Sequence, residues 1–312
     1  AAWKTVSGFV YDVLDDLGSM HSFQDSDLFK ANMLRLERQI RNLRPPRVAK
    51  RKLVRALPVG VVEDLYELAD PASSRNPFRC ESQRWRNFCL FLLYLHLGLR
   101  RSEAILLRTD TIGSDLDREL GERVNWINVV ETNEEDDPFD SRRVPPRIKT
   151  LQSNRQIPVS ADCAEIFTHF IDNYRGKQPH SFLFPSNQSK PLSVRAVNAL
   201  FGVLTSSLSE GAKKDLRDRL RSEVITPHSL RHTAAVYRLS QFLDGGDEMK
   251  LALQKLRAFF GWSKDSKMPH HYAAAYFHGQ MLCGVWQSKF DHRVDILRTL
   301  GFLKNDGAGH KK

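Results

Sequence analysis

The chain has 312 residues, of which 41% are hydrophobic, so it is long enough and apolar enough for a packed core and two domains. Its 47 Lys and Arg exceed its 37 Asp and Glu, and the net charge of +10 makes nucleic acid the first candidate partner. The four cysteines show no CxxC spacing, which argues against a disulfide framework or a zinc site and favours free thiols in a reducing cytosol or nucleoid. The apolar run from Phe88 to Leu97 is too short to span a bilayer, and no secretory signal is recognisable. We therefore expect no membrane association.

The first 44 residues show a helical pattern. Four apolar side chains repeat at helical spacing and would form one buried stripe: Met33, Leu36, Ile40 and Leu43. Another face of the same helix is basic and carries Arg35, Arg38 and Arg41. This face is either a solvated surface or a surface that lies along a DNA backbone, and both interpretations stay open.

A basic segment follows from Arg44 to Arg55. Its paired prolines rule out a continuing helix, and its charge density indicates an exposed linker. The candidate DNA-binding side chains in it are Arg47, Lys50, Arg51 and Lys52. The segment is either a hinge of a DNA clamp or only a tether between two domains.

A larger domain begins near Leu57. The pattern predicts a short helix from Pro58 to Ala69 and a long apolar helix from Trp85 to Leu97. Gly98 would end that second helix, and the helical pattern then continues from Leu99 to Arg108.

Strand signals come next. Val124 to Val130 alternates between apolar and polar residues, and an acidic loop from Glu131 to Asp140 follows. Arg147 to Thr150 and Arg155 to Val159 resemble two strands of a hairpin. Helices fill the rest, with Gly245, Gly246 and Gly261 as breaks, and the polar tail from Lys304 is predicted to be disordered.

The most informative stretch is Pro-His-Ser-Leu-Arg-His-Thr, residues 227–233. Thr226 suits an N-cap and Pro227 suits the first helical position. His228 and Arg231 would then share one helix face, since they are three residues apart. A guanidinium fork matches a phosphate, and an imidazole beside it can move a proton, so this spacing suits chemistry on a phosphodiester.

Three further elements carry candidate chemistry. Arg100 lies just after a helix break, and Glu103 could orient it. Lys149 lies where a hairpin would turn and could donate a proton to a leaving oxygen. Tyr272 follows Gly261-Trp262 and could act as a nucleophile if cations hold a phosphate beside it.

Together these residues resemble the tyrosine recombinase (phage integrase) family over roughly residues 50–290. His-Ser-Leu-Arg-His-Thr is the most specific motif. Gly-Leu-Arg-Arg-Ser-Glu resembles the first arginine box of the family, and Ile-Lys-Thr with Asn-Arg-Gln-Ile-Pro-Val resembles its lysine hairpin. Phe-Gly-Trp-Ser followed by His-Tyr-Ala resembles its C-terminal box.

The resemblance implies a mainly α fold with a small antiparallel β-sheet (α+β). Residues 1–48 would be a partial, truncated helical core-binding domain with its basic linker. Residues 49–303 would be the catalytic domain with a C-terminal docking segment, and residues 304–312 a disordered tail. The amphipathic stretch from Gly284 to Leu303 would dock either on its own subunit or on a neighbour.

The resemblance also implies a role for each site residue. Arg100 and Arg231 would clamp the scissile phosphate, with His228 assisting proton transfer. Trp262 would donate through its indole N–H, at a position that is His in most members. Lys149 would be the general acid, Tyr272 the nucleophile, and Glu103 and His232 would support the others. Because cations stabilise the transition state and the phosphotyrosyl link keeps the bond energy, no metal and no cofactor is expected.

Two features depart from the family pattern. The spacing from Trp262 to Tyr272 is one residue longer than usual, and Tyr276, one helical turn further on, is the alternative nucleophile. The acidic stretch from Glu131 to Asp140 lengthens the region before Lys149, and we expect it to face away from DNA because it would repel the phosphates.

The resemblance predicts a site-specific recombinase of a mobile element that acts as a homotetramer on two DNA duplexes, in the cytoplasm at the bacterial nucleoid. Two alternatives remain at this point. One is a type IB topoisomerase, which uses similar residues but works alone. The other is a DNA-binding protein that has lost catalysis.

Overall fold

A computed structural model of the chain describes residues 8–10, 12–14, 16, 26–42, 56–117, 121–130, 140, 142, 146 and 154–280. The chain divides into two compact units, Ala1–Lys52 and Leu53–Lys312. The first unit contains helix α1 (Ser26–Asn42), on which Arg35 and Arg38 are exposed while Met33 and Leu36 are half-buried. Helix α1 includes Arg41, whose side chain lies outside the described residues.

The second unit starts with three helices. These are α2 (Val59–Ala69), α3 (Glu81–Leu95) and the short α4 (Arg101–Leu106). Helix α3 starts four residues before the predicted Trp85. From Trp85 onward its side chains are almost all buried, which explains why the sequence here lacks a polar face. It forms the centre of the core and packs against two later helices, Pro227–Asp244 and Ala161–Phe170.

A three-stranded antiparallel sheet follows, in the order β1 (Ile112–Leu116), β2 (Arg123–Val129) and β3 (Arg155–Val159). Ile127 at the centre of β2 lies opposite Ile112 on one side and Ile157 on the other, and Ile127 and Ile157 are buried. The predicted small antiparallel sheet is therefore confirmed, with β2 and β3 close to their predicted bounds. The predicted strand from Arg147 to Thr150 lies outside the described residues.

Strand β1 was not predicted, and α4 is shorter than the helical pattern from Leu99 to Arg108. Helix α4 ends because Leu107 adopts an extended conformation and the next residue, Arg108, forms a β-bridge with Phe182. Strand β1 has an exposed outer half and a glycine, Gly113, so it lacks the apolar alternation that marks a buried strand.

The remaining helices build the other half of the unit. They are α5 (Ala161–Phe170), continued by a π-helical turn (Ile171–Arg175), then α6 (Val194–Ser207), α7 (Glu210–Leu220), α8 (Pro227–Asp244), α9 (Met249–Phe260) and α10 (Met268–Gln280). Helix α8 contacts α3, α9 and α10. The mainly helical α+β fold predicted from the sequence is thus confirmed.

Several other expectations can be compared with the structure. Cys80, Cys89 and Cys163 are free thiols, whereas Cys283 lies outside the described residues. No helix in the part of the chain that the structure describes is long and apolar enough to cross a bilayer. The basic residues Arg47, Lys50, Arg51 and Lys52, the loop before Asp140 and all residues after Gln280 also lie outside that part.

Gly98, between α3 and α4, is required by both its conformation and its surroundings. Its φ of +57° is unfavourable for residues with a side chain, and an added Cβ would lie 2.3 Å from the Phe260 ring. The chain therefore passes close to α9 at this point, immediately before it presents Arg100.

We predict that Gly98→Ala lowers the free energy of unfolding by about 2 kcal/mol or more, because it combines left-handed strain with a clash in the core. Gly202→Ala is the matched control, since an added Cβ on α6 meets nothing within 4 Å and alanine favours a helix. Urea unfolding measures both variants. Equal unfolding free energies of the two variants would contradict the conclusion that the turn between α3 and α4 requires a glycine at position 98.

Candidate active site

The site is built around Glu103, a carboxylate that is 1% exposed. One carboxylate oxygen of Glu103 accepts a hydrogen bond from the Arg100 backbone N–H at 2.8 Å, which fixes the start of α4. The other lies 2.5 Å from the Arg100 guanidinium. Glu103 therefore orients Arg100, as its sequence position suggested.

Two more guanidiniums approach the same carboxylate. Arg155 of β3 pairs with it at 3.0 Å, and Arg231 of α8 lies 3.8 Å away. We call Arg100, Arg155 and Arg231 the arginine cluster. Its three positive charges face one buried negative charge, so the cluster keeps an excess of positive charge that suits an anionic ligand.

The C-terminal end of α9 holds the arginine cluster in place. Arg155 donates to the carbonyl of Phe259 at 2.8 Å, Arg231 to that of Phe260 at 2.8 Å, and Arg100 to that of Gly261 at 3.2 Å. The last carbonyls of a helix have no partner within the helix, and its dipole attracts cations there. Three consecutive carbonyls thus position three guanidiniums.

Gly261 makes this close approach possible. It caps α9 in a left-handed conformation with φ of +60°, and an added Cβ would lie 2.9 Å from Arg155 Nη1. Arg231 also donates to the carbonyl of Gly98, so the two glycine turns meet at the same guanidinium.

The electrostatic environment shifts the pKa of two groups in this cluster. Burial alone would raise the pKa of Glu103, but the charges and hydrogen bonds of Arg155, Arg231 and Arg100 outweigh it and lower the pKa. Burial lowers the pKa of Arg231, and repulsion from Arg100 and Arg155 adds to this despite attraction by Glu103. A bound anion would relieve that repulsion.

An aromatic stack lies beside the arginine cluster. The ring of Trp262 is sandwiched between Phe260, with centroids 4.9 Å apart, and Tyr272, with centroids 5.2 Å apart and planes 8° from parallel. The Arg231 guanidinium carbon lies 4.9 Å from the centre of the Phe260 ring and 5.6 Å from that of Trp262. The stack ties Tyr272 on α10 to the arginine cluster.

Tyr272 also contacts α8. Its hydroxyl is 2.6 Å from Nδ1 of His232, and the His232 ring lies 4.0 Å from that of His228. The side chain of Tyr272 is 1% exposed, and this burial raises its pKa, while Arg231 and Arg100 partly oppose the rise. Tyr276 is also buried, one turn along the same helix, and packs against Phe277.

Of the eight predicted catalytic and supporting residues, the seven that the structure describes therefore lie together. The predicted N-cap is present, because the Thr226 hydroxyl accepts from the Ser229 N–H and Pro227 begins α8. His228 is exposed at the start of α8, while Arg231 is buried behind it. Lys149 lies outside the described residues. No group of three or more His, Cys, Asp or Glu that could hold a metal ion occurs within the described ranges.

Sequence reasoning missed the position of Arg155. The residue stands in the stretch Asn-Arg-Gln-Ile-Pro-Val, which was assigned to the hairpin without a role for its arginine. Strand alternation places Ile157 and Val159 inward, and the same period places Arg155 inward with them. That signal was available, but it does not reveal that the partner is Glu103.

Comparison with known proteins shows the family to which the chain belongs. The family described as the Phage integrase family matches residues 57–278. The chain belongs to the phage integrase family. Comparison with curated protein sequences gave no match.

Several solved structures of recombinases resemble the chain at low sequence identity. XerA recombinase is 16% identical, with 88% of this chain and 82% of that chain covered and a TM-score of 0.43. XerH bound to palindromic difH substrate is 18% identical, with 76% of this chain and 53% of that chain covered and a TM-score of 0.48. The Tn1549 transposon integrase with circular intermediate DNA is 16% identical, with 95% of this chain and 86% of that chain covered and a TM-score of 0.49.

We predict that Glu103→Gln lowers the free energy of unfolding by roughly 3 kcal/mol or more, since it leaves three guanidiniums around an uncharged group. The control is Glu210→Gln, which removes a solvent-exposed pair with Lys213. Urea unfolding should show a large change for the first variant and none for the second. Similarly small changes of unfolding free energy in both variants would contradict the conclusion that Glu103 stabilises the arginine cluster.

We also predict that the protein loses stability as pH falls from about 6.5 to about 4. Burial, with the charges of His228 and Arg231, lowers the pKa of His232 to about 4, and burial with Arg238 lowers that of His96 to about 4. Below about 6.5 the unfolded chain therefore binds protons that the folded chain does not. Unfolding free energies measured across this range should change less steeply in His232→Asn than in the wild type. The same pH dependence of the unfolding free energy in His232→Asn and the wild type would contradict the lowered pKa of His232.

Proposed function

We propose that this chain is a site-specific DNA recombinase of a mobile element that cuts and rejoins double-stranded DNA through a covalent tyrosine link. The observation that supports the proposal is that Tyr272 stacks on Trp262, whose ring also lies against the Arg231 guanidinium of the buried arginine cluster with its excess positive charge. The candidate nucleophile on α10 and the candidate phosphate-binding arginines, one just before α4 and one on α8, thus belong to one connected group of side chains, although they are far apart in the sequence.

In this mechanism Arg100 and Arg231 hold the non-bridging oxygens of the scissile phosphate. The Tyr272 oxygen attacks phosphorus and forms a 3′-phosphotyrosyl bond while the bond to the 5′ oxygen breaks. Lys149 gives a proton to the departing 5′ oxygen, and His228 at the exposed end of α8 assists proton transfer at the phosphate. The reverse attack by a 5′ hydroxyl rejoins a strand without ATP.

In this proposal the guanidiniums provide most of the electrostatic stabilisation of the transition state. Negative charge builds on the phosphate oxygens in the transition state, and fixed cations stabilise it without having to reorient. Glu103, Arg155 and the carbonyls of α9 supply that fixity. No step of this mechanism needs a metal ion.

The proposed assembly is a homotetramer on two DNA duplexes, with the stretch from Gly284 to Leu303 docking on a neighbouring subunit. Arg35 and Arg38 are exposed on one helix, and we propose that they contact the DNA backbone together with Arg41, Arg47, Lys50, Arg51 and Lys52. The chain would act on DNA in the bacterial nucleoid.

Covalent trapping tests the proposal. The protein is mixed with a pool of nicked duplexes that have a randomised centre, denatured with SDS, and the attached DNA is sequenced while the attached peptide is identified by mass spectrometry. A nucleotide on Tyr272 supports the proposal and yields a cleavable duplex. DNA binding without any adduct would favour a binding protein that has lost catalysis.

We predict that Tyr272→Phe binds DNA but forms no covalent adduct, because it lacks only the attacking oxygen. Tyr276→Phe is the matched control, one helical turn away, and should keep forming the adduct. The experiment is SDS gel analysis of both variants with the trapped duplex. The opposite pattern would identify Tyr276 as the nucleophile.

We predict that DNA affinity falls steeply as salt rises, since several phosphates are neutralised and their counterions are released on binding. Fluorescence anisotropy of a labelled duplex over a series of KCl concentrations measures this slope. An affinity that hardly changes with salt would contradict a basic DNA-binding surface.

A further inference from the structure

Nδ1 of His232 is within hydrogen-bond distance of the atom that the proposed reaction uses as its nucleophile. The distance from Nδ1 to the Tyr272 hydroxyl oxygen is 2.6 Å, between residues that are 40 positions apart. The family resemblance gives His232 only a supporting role. Its direct contact with the phenol oxygen indicates a more specific role for His232.

The proton on the phenol must leave when its oxygen attacks phosphorus. A neutral imidazole with its proton on Nε2 presents a lone pair at Nδ1, and the phenol O–H can donate to it. Burial and the nearby His228 and Arg231 lower the pKa of His232, so the free protein holds its imidazole neutral at pH 7. In the tautomer with the proton on Nε2, the phenol proton can therefore move to Nδ1.

Resting on the proposed function, we propose that His232 is the general base that takes the Tyr272 proton during cleavage. In this step the bond from Tyr272 Oη to phosphorus forms, the bond from phosphorus to the 5′ oxygen breaks, and the phenol proton moves to Nδ1. Lys149 gives a proton to the 5′ oxygen, so one proton is taken and one is given. When the strand is rejoined, His232 returns its proton to the phenol oxygen.

The bound phosphate would make His232 a better base when it is needed. Among the residues that the structure describes, Arg231, His228 and Tyr272 face the His232 ring or act on its charge. An anion on the arginine cluster offsets the positive charge of Arg231 and raises the pKa of His232 from its low value towards neutrality. A base is most effective when its pKa is near the working pH.

The experiment uses three variants and the duplex recovered by covalent trapping. In His232→Asn the amide oxygen can replace Nδ1 as a hydrogen-bond acceptor but cannot take a proton near neutral pH. Lys149→Ala removes the proposed acid. His271→Asn, an exposed histidine next to Tyr272 on α10, is the matched control. Single-turnover cleavage is measured on the normal duplex and on one with sulfur in place of the 5′ bridging oxygen.

We expect His232→Asn to bind DNA normally and to cleave about 10²- to 10⁴-fold more slowly, the usual contribution of a general base. The sulfur substrate should restore Lys149→Ala, because a thiolate leaves without a proton, and should leave His232→Asn slow. The wild-type rate on the sulfur substrate should rise with pH and then level off as His232 loses its proton, and His232→Asn should lack this rise. His271→Asn should cleave like the wild type.

Three results would overturn the inference. Cleavage by His232→Asn at the wild-type rate would show that no base is needed there, and faster cleavage would show that His232 restrains Tyr272. Recovery of His232→Asn on the sulfur substrate would make it part of the acid step. In all three cases the wild type forms its adduct, so the proposed function stands, whereas a wild type without an adduct contradicts both.

Discussion

The site depends on one buried carboxylate shared by guanidiniums from three distant parts of the chain. Glu103 contacts Arg100, Arg155 and Arg231, and each of these arginines also donates to one of three successive carbonyls at the end of α9. A carboxylate and a helix C-terminus together offset part of three positive charges. They leave an excess of positive charge that the phosphate diester of the proposed substrate would neutralise.

The same helix end connects the arginine cluster to Tyr272, the proposed nucleophile. Gly261 turns the chain after α9 and places Trp262 between Phe260 and Tyr272, so the arginine cluster and the tyrosine share one stack of rings. His232 holds the tyrosine from the other side, on the helix that also carries Arg231. A change at the end of α9 would therefore affect both the arginines proposed to bind phosphate and the proposed nucleophile, whose relative position matters for transfer of a phosphoryl group.

The sequence predicted the helical fold and the sheet. It also predicted which candidate site residues lie together on α8, because motif spacing on a helix determines which side chains share a face. His228, Arg231 and His232 come from one turn of α8, so their proximity follows from the 3.6-residue period. The pairing of Arg155 with Glu103 and the contact between His232 and Tyr272 could not be predicted, since they depend on how β3 lies against α4 and how α10 packs against α8. Strand β1 was missed because half of it is exposed and its apolar alternation is weak.

The most direct test of this account asks whether the arginine cluster acts on the charge of the scissile phosphate. Cleavage by the wild type and by Arg100→Ala is compared on a normal duplex and on one with an uncharged methylphosphonate at the scissile position. Arg100 is chosen because it is the partly exposed member of the cluster, which limits damage to the core. The account predicts a large loss of rate for Arg100→Ala on the phosphate and a much smaller loss on the methylphosphonate. Equal losses on the two substrates would contradict it.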